Sequence, residues 1–560
     1  MSESPEASVF VHEDGVDWRL DSQLETGIRA GLIDRLPALL GGEIGERIKK
    51  NNVRTVIRFE SRELDGRVVF LKAYRTPGFR DRLRDRLFAS RAANEWRVMR
   101  HCIESGIPTA RPLGYGERRG GQGETAYFAS EGIPDPVDWI TYTEELRRGA
   151  DGERVRREWL ADLARLVRLA HDRGLHHRDL HTNNILVRAT EGEKPEVRFI
   201  DLHSGRVTKL GARRRMEGLV KLTHALRRVS TRTDQLRILQ AYNGSDPVPG
   251  LEGRSTFHRL AEGVERLERR RLRSRTRRCV VSSSAFRIDR TDEFRIHRRT
   301  EVPTAFLLAA IEKHRALVAE GGAALVKDGR TNRISRFELA GEDGPEPLCV
   351  KEFRERGAFD AVKRRVGYLR GARSWKGAYG LEVREVQTAR GLGLMIPARS
   401  GSQYVVMRWM EGFDRLDRYV LDRFGGESPL SREQRLRLID AVADLYRRLI
   451  DRRIYHGDLK ATNVLVRERD GSGAEGVDWD LALLDTDSVQ FDRPVSERRR
   501  MKNLAQLYAS ITTDASLADR VRFFRRYTAG EDVWPNRKRW FQAIARACAK
   551  KKMVVRDPIE

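Results

Sequence analysis

Four residue types recur in this chain at spacings that suit one reaction. Asp179 is followed five residues later by Asn184, inside the run HHRDLHTNNILV. Asp201 comes next, after the apolar run Val197 to Ile200. Upstream, Lys72 ends the stretch VVFLK, and Glu95 follows in a segment of helical character. Phosphoryl transfer asks a protein for little covalent chemistry. It needs the phosphates held, metal ions placed and the attacking hydroxyl oriented. Asp179 is the group to accept or orient the hydroxyl proton. Asn184 can bind a magnesium ion through its amide oxygen, and Asp201 can bridge that metal to a triphosphate, because magnesium prefers hard oxygen ligands. Lys72 would then contact the α- and β-phosphates, with Glu95 fixing its position.

The same set occurs twice. IYHGDLKATNVLV repeats LHHRDLHTNNILV, so that Asp458 matches Asp179 and Asn463 matches Asn184, each at an offset of 279. Lys351 in CVKEFR matches Lys72 at that offset, as Thr388-Ala389-Arg390 matches Thr109-Ala110-Arg111. Downstream, Asp485 pairs with Asp201 and Arg498-Arg499-Arg500-Met501 with Arg213-Arg214-Arg215-Met216, at offsets of 284 and 285. A short insertion in the second copy, Gly471 to Gly476, accounts for the difference. Matches in one order at near-constant offset mean duplication. The expected division is 20–264 for the first domain, 265–284 for a basic helical linker dense in arginine, and 285–560 for the second domain. The glutamate is the exception. Trp96 aligns with Trp375, which puts Ser374 where Glu95 stands, leaving Glu382 or Glu385 as substitutes.

Each copy needs the same elements to bring these residues together. VRTVIRFES and RVVFLKAY alternate apolar and polar residues, the pattern of a β-hairpin. A helix is expected around Arg91 to Ser105, then strands ending near Tyr127-Phe128 and at Tyr404 to Met407. Long helices precede each catalytic loop, Glu153 to Arg173 and Ser431 to Arg452, with apolar residues at helical spacing. The fold class is α+β: two tandem protein-kinase-like bilobal domains, each a small β-rich N-lobe followed by a larger helical C-lobe. HRD followed by four residues and Asn is the spacing of a kinase catalytic loop. No GxGxxG stands ahead of either lysine; Lys50 to Arg54 (KNNVR) and Asp328 to Asn332 (DGRTN) lie where a nucleotide-covering loop belongs, and no Walker A motif is present.

Composition narrows the class. Of 560 residues 39% are hydrophobic and 34% charged, with both signs interspersed, which suits a folded chain rather than disorder. A net charge of +26 favours an anionic partner: a nucleotide, a phosphorylated glycan, an anionic lipid or, least favoured, nucleic acid. Cys102, Cys279, Cys349 and Cys548 form no CxxC pair, which argues against a zinc or redox site and suits a reducing compartment. The N-terminus is acidic and polar, unlike a signal peptide, and no apolar run has the length of a membrane span. His171, His176, His177 and His181 cluster because the catalytic loop places them so, not as metal ligands. Trp375 and Trp409 read as core, and the RRRM repeats as either anion-binding or the solvated start of a helix.

At these residues the chain resembles the bacterial lipopolysaccharide kinases, the Kdo/WaaP family within the protein-kinase-like superfamily. The first copy carries the likeness in FLKAYR, ANEW, GIPTARPLGYG, HHRDLHTNNILV and FIDLHSGRV; the second in VKEFR, QTAR, HGDLKATNVLV and LLDTDSVQF. The resemblance implies an ATP- and Mg²⁺-dependent kinase acting on a sugar hydroxyl, Kdo or heptose, of lipopolysaccharide core or a related glycolipid. It maps the base to Asp179 and Asp458 and the metal ligands to Asn184, Asp201, Asn463 and Asp485. It also implies a cytoplasmic protein, peripheral at the inner face of the cytoplasmic membrane. Two other readings stand beside it: a small-molecule phosphotransferase of the aminoglycoside or choline kinase type, and one active kinase domain paired with a regulatory pseudokinase domain. The tandem arrangement departs from the family's single-domain form, and neither copy has an APE motif.

Overall fold

The computed structural model describes residues 8–51, 53–75, 89–118, 124–148, 152–188, 195–341, 344–355, 369–426, 429–470, 477–511, 514–531 and 533–550. The expected insertion at 471–476 lies outside them. The chain divides into two compact units, Met1–Glu268 and Arg269–Glu560.

Unit one begins with a seven-stranded antiparallel sheet. Its strands are β1 (Ser8–Glu13), β2 (Val16–Asp21), β3 (Glu46–Lys50), β4 (Arg54–Ser61), β5 (Arg67–Arg75), β6 (Pro112–Arg118) and β7 (Glu124–Glu131), in the spatial order β1-β2-β6-β7-β5-β4-β3. The β4 sequence RTVIRFES alternates burial along its length, as a period-two strand with one covered face must. Thr55, Ile57 and Ser61 are buried, and Ile57 packs with Trp18, Leu20, Val69 and Leu71 in a core on one side of the sheet. The other face carries Arg54, Val56, Lys72 and Tyr74, because cross-strand partners share a face and the register pairs Val56 with Lys72 and Arg54 with Tyr74. The helix Arg91–Glu104 lies against that second face. Ser90 starts it, accepting a hydrogen bond from the Ala93 amide.

The helical part of unit one packs around Gly152–Asp172, whose Leu160, Leu163 and Val167 fall on one buried stripe. Trp139 and Trp159 stack there with ring centroids 4.6 Å apart. Arg156, almost fully buried, is paired with Asp234 at 3.1 Å and donates to the Val229 carbonyl, so its charge is not stranded in the core. Short strands frame the segment that carries Asp179 and Asn184: β8 (Val137–Asp138), β9 (Leu175–His176), β10 (Ile185–Arg188), β11 (Glu196–Phe199) and β12 (Arg206–Val207). β10 lies between β8 and β11, and β9 pairs with β12.

Unit two repeats this plan. β13 (Phe286–Arg290), β14 (Phe294–Arg299), β15 (Leu325–Asp328), β16 (Asn332–Gly341), β17 (Gly344–Phe353), β18 (Gly391–Pro397) and β19 (Gln403–Arg408) form a sheet in the matching order β13-β14-β18-β19-β17-β16-β15. The helix Arg370–Val383 takes the place of Arg91–Glu104, and Arg432–Asp451 that of Gly152–Asp172. Ser431 and Gln434 close the start of the latter with a reciprocal capping box. β20 (Asp414–Arg415), β21 (Ile454–His456), β22 (Val464–Asp470), β23 (Val477–Leu483) and β24 (Val489–Phe491) frame its loop. The arginine-dense segment is helical, within Gly253–Arg277, and Arg270, Arg271, Arg273, Arg275 and Arg277 are exposed on it.

Candidate active site

The TAR repeats turn out to be the tie between sheet and catalytic segment. Thr109 Oγ1 donates to the Phe199 carbonyl at 2.8 Å, and the Phe199 amide donates to the Pro108 carbonyl at 3.0 Å. Unit two copies this with Thr388 Oγ1 to the Leu483 carbonyl at 2.7 Å. Two residues beyond each tie stand Asp201 and Asp485, at φ of +57° and +56°. Aspartate is among the few residues that enter the left-handed region readily. Such a backbone costs energy and persists where the surroundings impose it, often at a functional centre.

In unit one the expected residues converge. Lys72 Nζ lies 2.6 Å from Glu95 Oε1 and 3.0 Å from Asp201 Oδ1. Glu95 is only 1% exposed, and the Tyr74 hydroxyl donates to its second oxygen at 2.9 Å. Arg54 grips Asp201 with two nitrogens, at 2.8 and 3.0 Å, and His203 Nδ1 lies 2.9 Å from Asp201 Oδ1. Asn94 of the ANEW segment donates to the His203 and Gly205 carbonyls, so the helix also holds the loop after Asp201. Asn184 is linked to both aspartates: its Nδ2 donates to the Asp179 carbonyl at 2.9 Å, and its own carbonyl accepts from the Ile200 amide, one residue before Asp201.

These contacts set the charges. Burial alone would raise the Asp201 carboxyl, but hydrogen bonds from His203 and Arg54 and the charge of Lys72 hold it far below the usual carboxylate range. Burial alone would lower the Lys72 ammonium; Glu95 and Asp201 reverse that and push it up. Asp179 is also held low, chiefly by His181, whose Nε2 lies 3.5 Å from Asp179 Oδ2. His177, fully enclosed, is pushed by burial down to about 4 and is neutral at physiological pH. Its Nδ1 accepts from the Asp179 amide at 3.3 Å, a positioning contact that His456 repeats for Asp458.

A divalent cation suits this donor set. Asn184 commits its amide nitrogen to the Asp179 backbone, which leaves the amide oxygen as the end able to face a cation. Asp201 would add its two carboxylate oxygens, and a nucleotide would bring the rest, since magnesium takes oxygen ligands of this kind, phosphate oxygens among them. The histidine cluster has other partners: His171 Nδ1 lies 2.8 Å from the Tyr242 hydroxyl, and His181 is beside Asn184 and Asp179.

Unit two keeps part of the set. Lys351 Nζ lies 2.6 Å from Asp485 Oδ1, which Lys351 helps hold below its ordinary value against the effect of burial. Asn463 Nδ2 donates to the Asp458 carbonyl at 2.8 Å. Ser374 does stand in place of Glu95, but its hydroxyl is 3.2 Å from that of Thr486, not near the lysine. The suggested substitutes are engaged elsewhere. Glu382 is bound by Arg299, and Glu385 by Arg452 at 3.2 Å. The strand register adds a finding: Ile334 pairs with Lys351 and Asn332 with Phe353. Arg54, Tyr74 and Glu95 are therefore replaced together, by Asn332, Phe353 and Ser374. The aspartate matched to Asp179 differs too. Asp458 Oδ2 lies 3.1 Å from both Lys460 Nζ and Asn463 Nδ2, and Oδ1 accepts from Gln506 at 3.3 Å.

Sequence reasoning missed Arg54, Tyr74 and His203 as members of the site. Trp375 and Trp409 are both expected in the core. Trp375 is buried and donates to the Cys279 carbonyl, whereas Trp409 is half-buried under the Arg336 guanidinium. The third arginine of each RRRM repeat is structural: Arg215 pairs with Asp172 at 2.6 Å, and Arg500 with Glu531 at 2.9 Å.

A β-rich lobe with a lysine–glutamate pair, joined to a helical lobe in which an aspartate, an asparagine and a second aspartate follow one another at kinase spacing, is the arrangement of a protein-kinase-like phosphotransferase. The family model described as the Lipopolysaccharide kinase (Kdo/WaaP) family matches residues 42–242 and again 320–527. The chain belongs to that family, in two tandem copies, and is a kinase with an alcohol group as acceptor. Kinase membership implies ATP and a divalent metal ion. Among curated proteins, the lipopolysaccharide core heptose(I) kinase WaaP of Pseudomonas aeruginosa is 27% identical over 190 residues, 32% of this chain and 71% of that one. The enzyme of the same name from Escherichia coli K12 is 24% identical over 210 residues, 36% of this chain and 78% of that one. Among solved structures, WaaP in complex with acyl carrier protein is 24% identical, covers 43% of this chain and 95% of that one, and has a TM-score of 0.34. The Rio2 kinase complex with ADP/Mg²⁺ and phosphoaspartate from Chaetomium thermophilum is 14% identical, covers 59% and 98%, and has a TM-score of 0.24. Among the described residues no helix is long and apolar enough to cross a membrane.

Proposed function

We propose that this kinase transfers the γ-phosphate of Mg²⁺·ATP to a sugar hydroxyl, Kdo or heptose, of lipopolysaccharide core or a related glycolipid. The observation that carries the reading is Lys72 held between Glu95 and Asp201, with Asn184 tied to the backbone of Asp179 and to the residue before Asp201. Lys72 binds the α- and β-phosphates. Asp201 and Asn184 hold the metal, and Asp179, ionised and half-exposed, takes up the acceptor hydroxyl proton. The acceptor assignment is supported by the heptose(I) kinase relatives and by the net charge of +26, which favours an anionic glycolipid surface. Work at the inner face of the cytoplasmic membrane follows from that acceptor, with exposed arginines such as Arg213 and Arg270 making peripheral contact. The test is phosphate content of lipopolysaccharide core, read by mass spectrometry, in cells lacking the gene and complemented with the parent or Asp179→Asn. Phosphate restored by the parent and not by the variant supports the reading; core phosphate unchanged by loss of the gene removes the acceptor assignment.

A second reading concerns unit two alone. Loss of the glutamate, the tyrosine hydroxyl and the arginine together, with Asp458 bound by Lys460, Asn463 and Gln506, favours a nucleotide-binding regulatory unit over a second catalyst. Asp458→Asn leaving transfer intact, while Asp179→Asn abolishes it, is the expected pattern.

A further inference from the structure

The segment ahead of Lys72, Lys50 to Arg54, lacks the glycines with which kinases cover a nucleotide, and the amides of Asn51, Val53 and Arg54 are already committed. Asn51 Oδ1 accepts from the Val53 amide at 2.9 Å and the Arg54 amide at 2.8 Å. The Asn51 amide donates to the Arg54 carbonyl at 3.0 Å, and the Arg75 amide to the Val53 carbonyl at 2.7 Å. Amides used in this way are not free to cradle phosphates, which favours a side chain as the source of positive charge. Arg54 is the side chain at that spot, on the sheet face it shares with Lys72. A guanidinium fork suits phosphate oxygens as well as it suits a carboxylate.

What Arg54 holds is a carboxylate that a metal needs. Its two nitrogens engage both oxygens of Asp201, and each partner is 17% exposed. Lys72 and Arg54 balance Glu95 and Asp201 in charge. A metal-bound nucleotide adds a net negative charge and takes Asp201, which leaves the guanidinium in need of a new anion beside it. We propose that Arg54 is a phosphate-binding residue of unit one that guards Asp201 until nucleotide arrives, then turns to the β- and γ-phosphates as the metal takes the carboxylate. Unit two has Asn332 at the matching place in the strand register and so lacks the device.

The proposal rests on the nucleotide site assigned to unit one, and the test separates the two. The full chain carrying Asp485→Asn, which removes the metal carboxylate of unit two, is the parent. Two affinities are measured without acceptor: β,γ-methylene ATP with Mg²⁺ by calorimetry, and Mn²⁺ alone by electron paramagnetic resonance. Arg54→Ala should weaken the nucleotide about ten- to a hundredfold, the effect of one charge-assisted contact. The same variant should bind Mn²⁺ several-fold more tightly, because Arg54 no longer competes for a carboxylate that Lys72 and His203 still hold at one oxygen; a merely structural arginine would not improve metal binding. Arg54→Lys should fall between on both scales and decides the matter alone if the alanine variant does not fold. Nucleotide affinity within twofold of the parent, or Mn²⁺ affinity unchanged or weaker, overturns the proposal. Asp201→Asn tests the site itself: if it binds Mn²⁺ as the parent does, the assignment of the site fails, whatever Arg54 does.

Discussion

Replacing Glu95 by glutamine keeps the shape of the side chain and removes one charge from a buried cluster. Lys72 would be left with Asp201 as its anionic partner, 3.0 Å away, and the ammonium would be drawn toward the group proposed to hold metal. Removing one member of a buried ion pair costs about 3–5 kcal/mol when the other is stranded. Here Asp201 still pairs with the lysine and the amide can still accept from Tyr74, so about 2–3 kcal/mol is the expected loss. For a unit of this size that corresponds to a fall in melting temperature of roughly 4–12 °C. The loss should be confined to one of two calorimetric transitions, since the chain has two compact units and need not melt as one. The pH dependence has a definite sign. Lys72 is raised in the folded state, so its contribution is complete below its unfolded value near 10.5 and fades as pH rises past it. Asp201 is depressed, so its contribution is complete above its unfolded value near 3.8 and fades as pH falls below it. Between these limits the difference between parent and Glu95→Gln should stay flat. ATP turnover should fall about a hundredfold, from the displaced lysine. A variant with parental stability across that window would refute the charge accounting, and parental turnover would refute the role given to the pair.

Ser374→Glu with Phe353→Tyr restores the missing pair in unit two and should raise its nucleotide affinity several-fold, measured by calorimetry in an Asp201→Asn chain. Gly377→Ala should do the reverse, because the added Cβ would run into the Thr486 carbonyl; about 2–4 kcal/mol of unit-two stability and nucleotide binding should go with it. Thr109→Val removes the tie to the Phe199 carbonyl and should cost unit one about 1–2 kcal/mol by calorimetry. Because His181 keeps Asp179 below the ordinary carboxylate range, the pH–rate profile should show no loss from Asp179 between pH 5 and 7, and His181→Ala should move an acid limb upward.

The repeat was readable because each catalytic loop packs its chemistry into a few consecutive residues, and the long helices because their apolar stripes are regular. The expected helices at Glu153 to Arg173 and Ser431 to Arg452 match Gly152–Asp172 and Arg432–Asp451 within a residue. Thr109 was legible as a repeated letter, but its tie is to Phe199, 90 residues away. Arg54 and Asp201 are 147 residues apart, and nothing local marks them as partners. The register between β4 and β5 narrows it: Arg54 stands opposite Tyr74 on the face of Lys72, and the second copy has Asn332 opposite Phe353 at the same places. Proposing Glu382 for the missing glutamate ignored helix phase and rise. It is eight residues beyond Ser374, about 12 Å along the axis, and there it meets Arg299. Glu385 lies past the end of that helix.

The claim that unit one is the catalytic kinase is tested most directly by phosphate transfer from labelled ATP to core lipopolysaccharide extracted from a strain lacking the gene. Asp179→Asn and Asp458→Asn full-length chains should be compared with the parent under Mg²⁺. Label incorporated by the parent and by Asp458→Asn, and lost in Asp179→Asn, is the predicted result. Label incorporated undiminished by Asp179→Asn would contradict it.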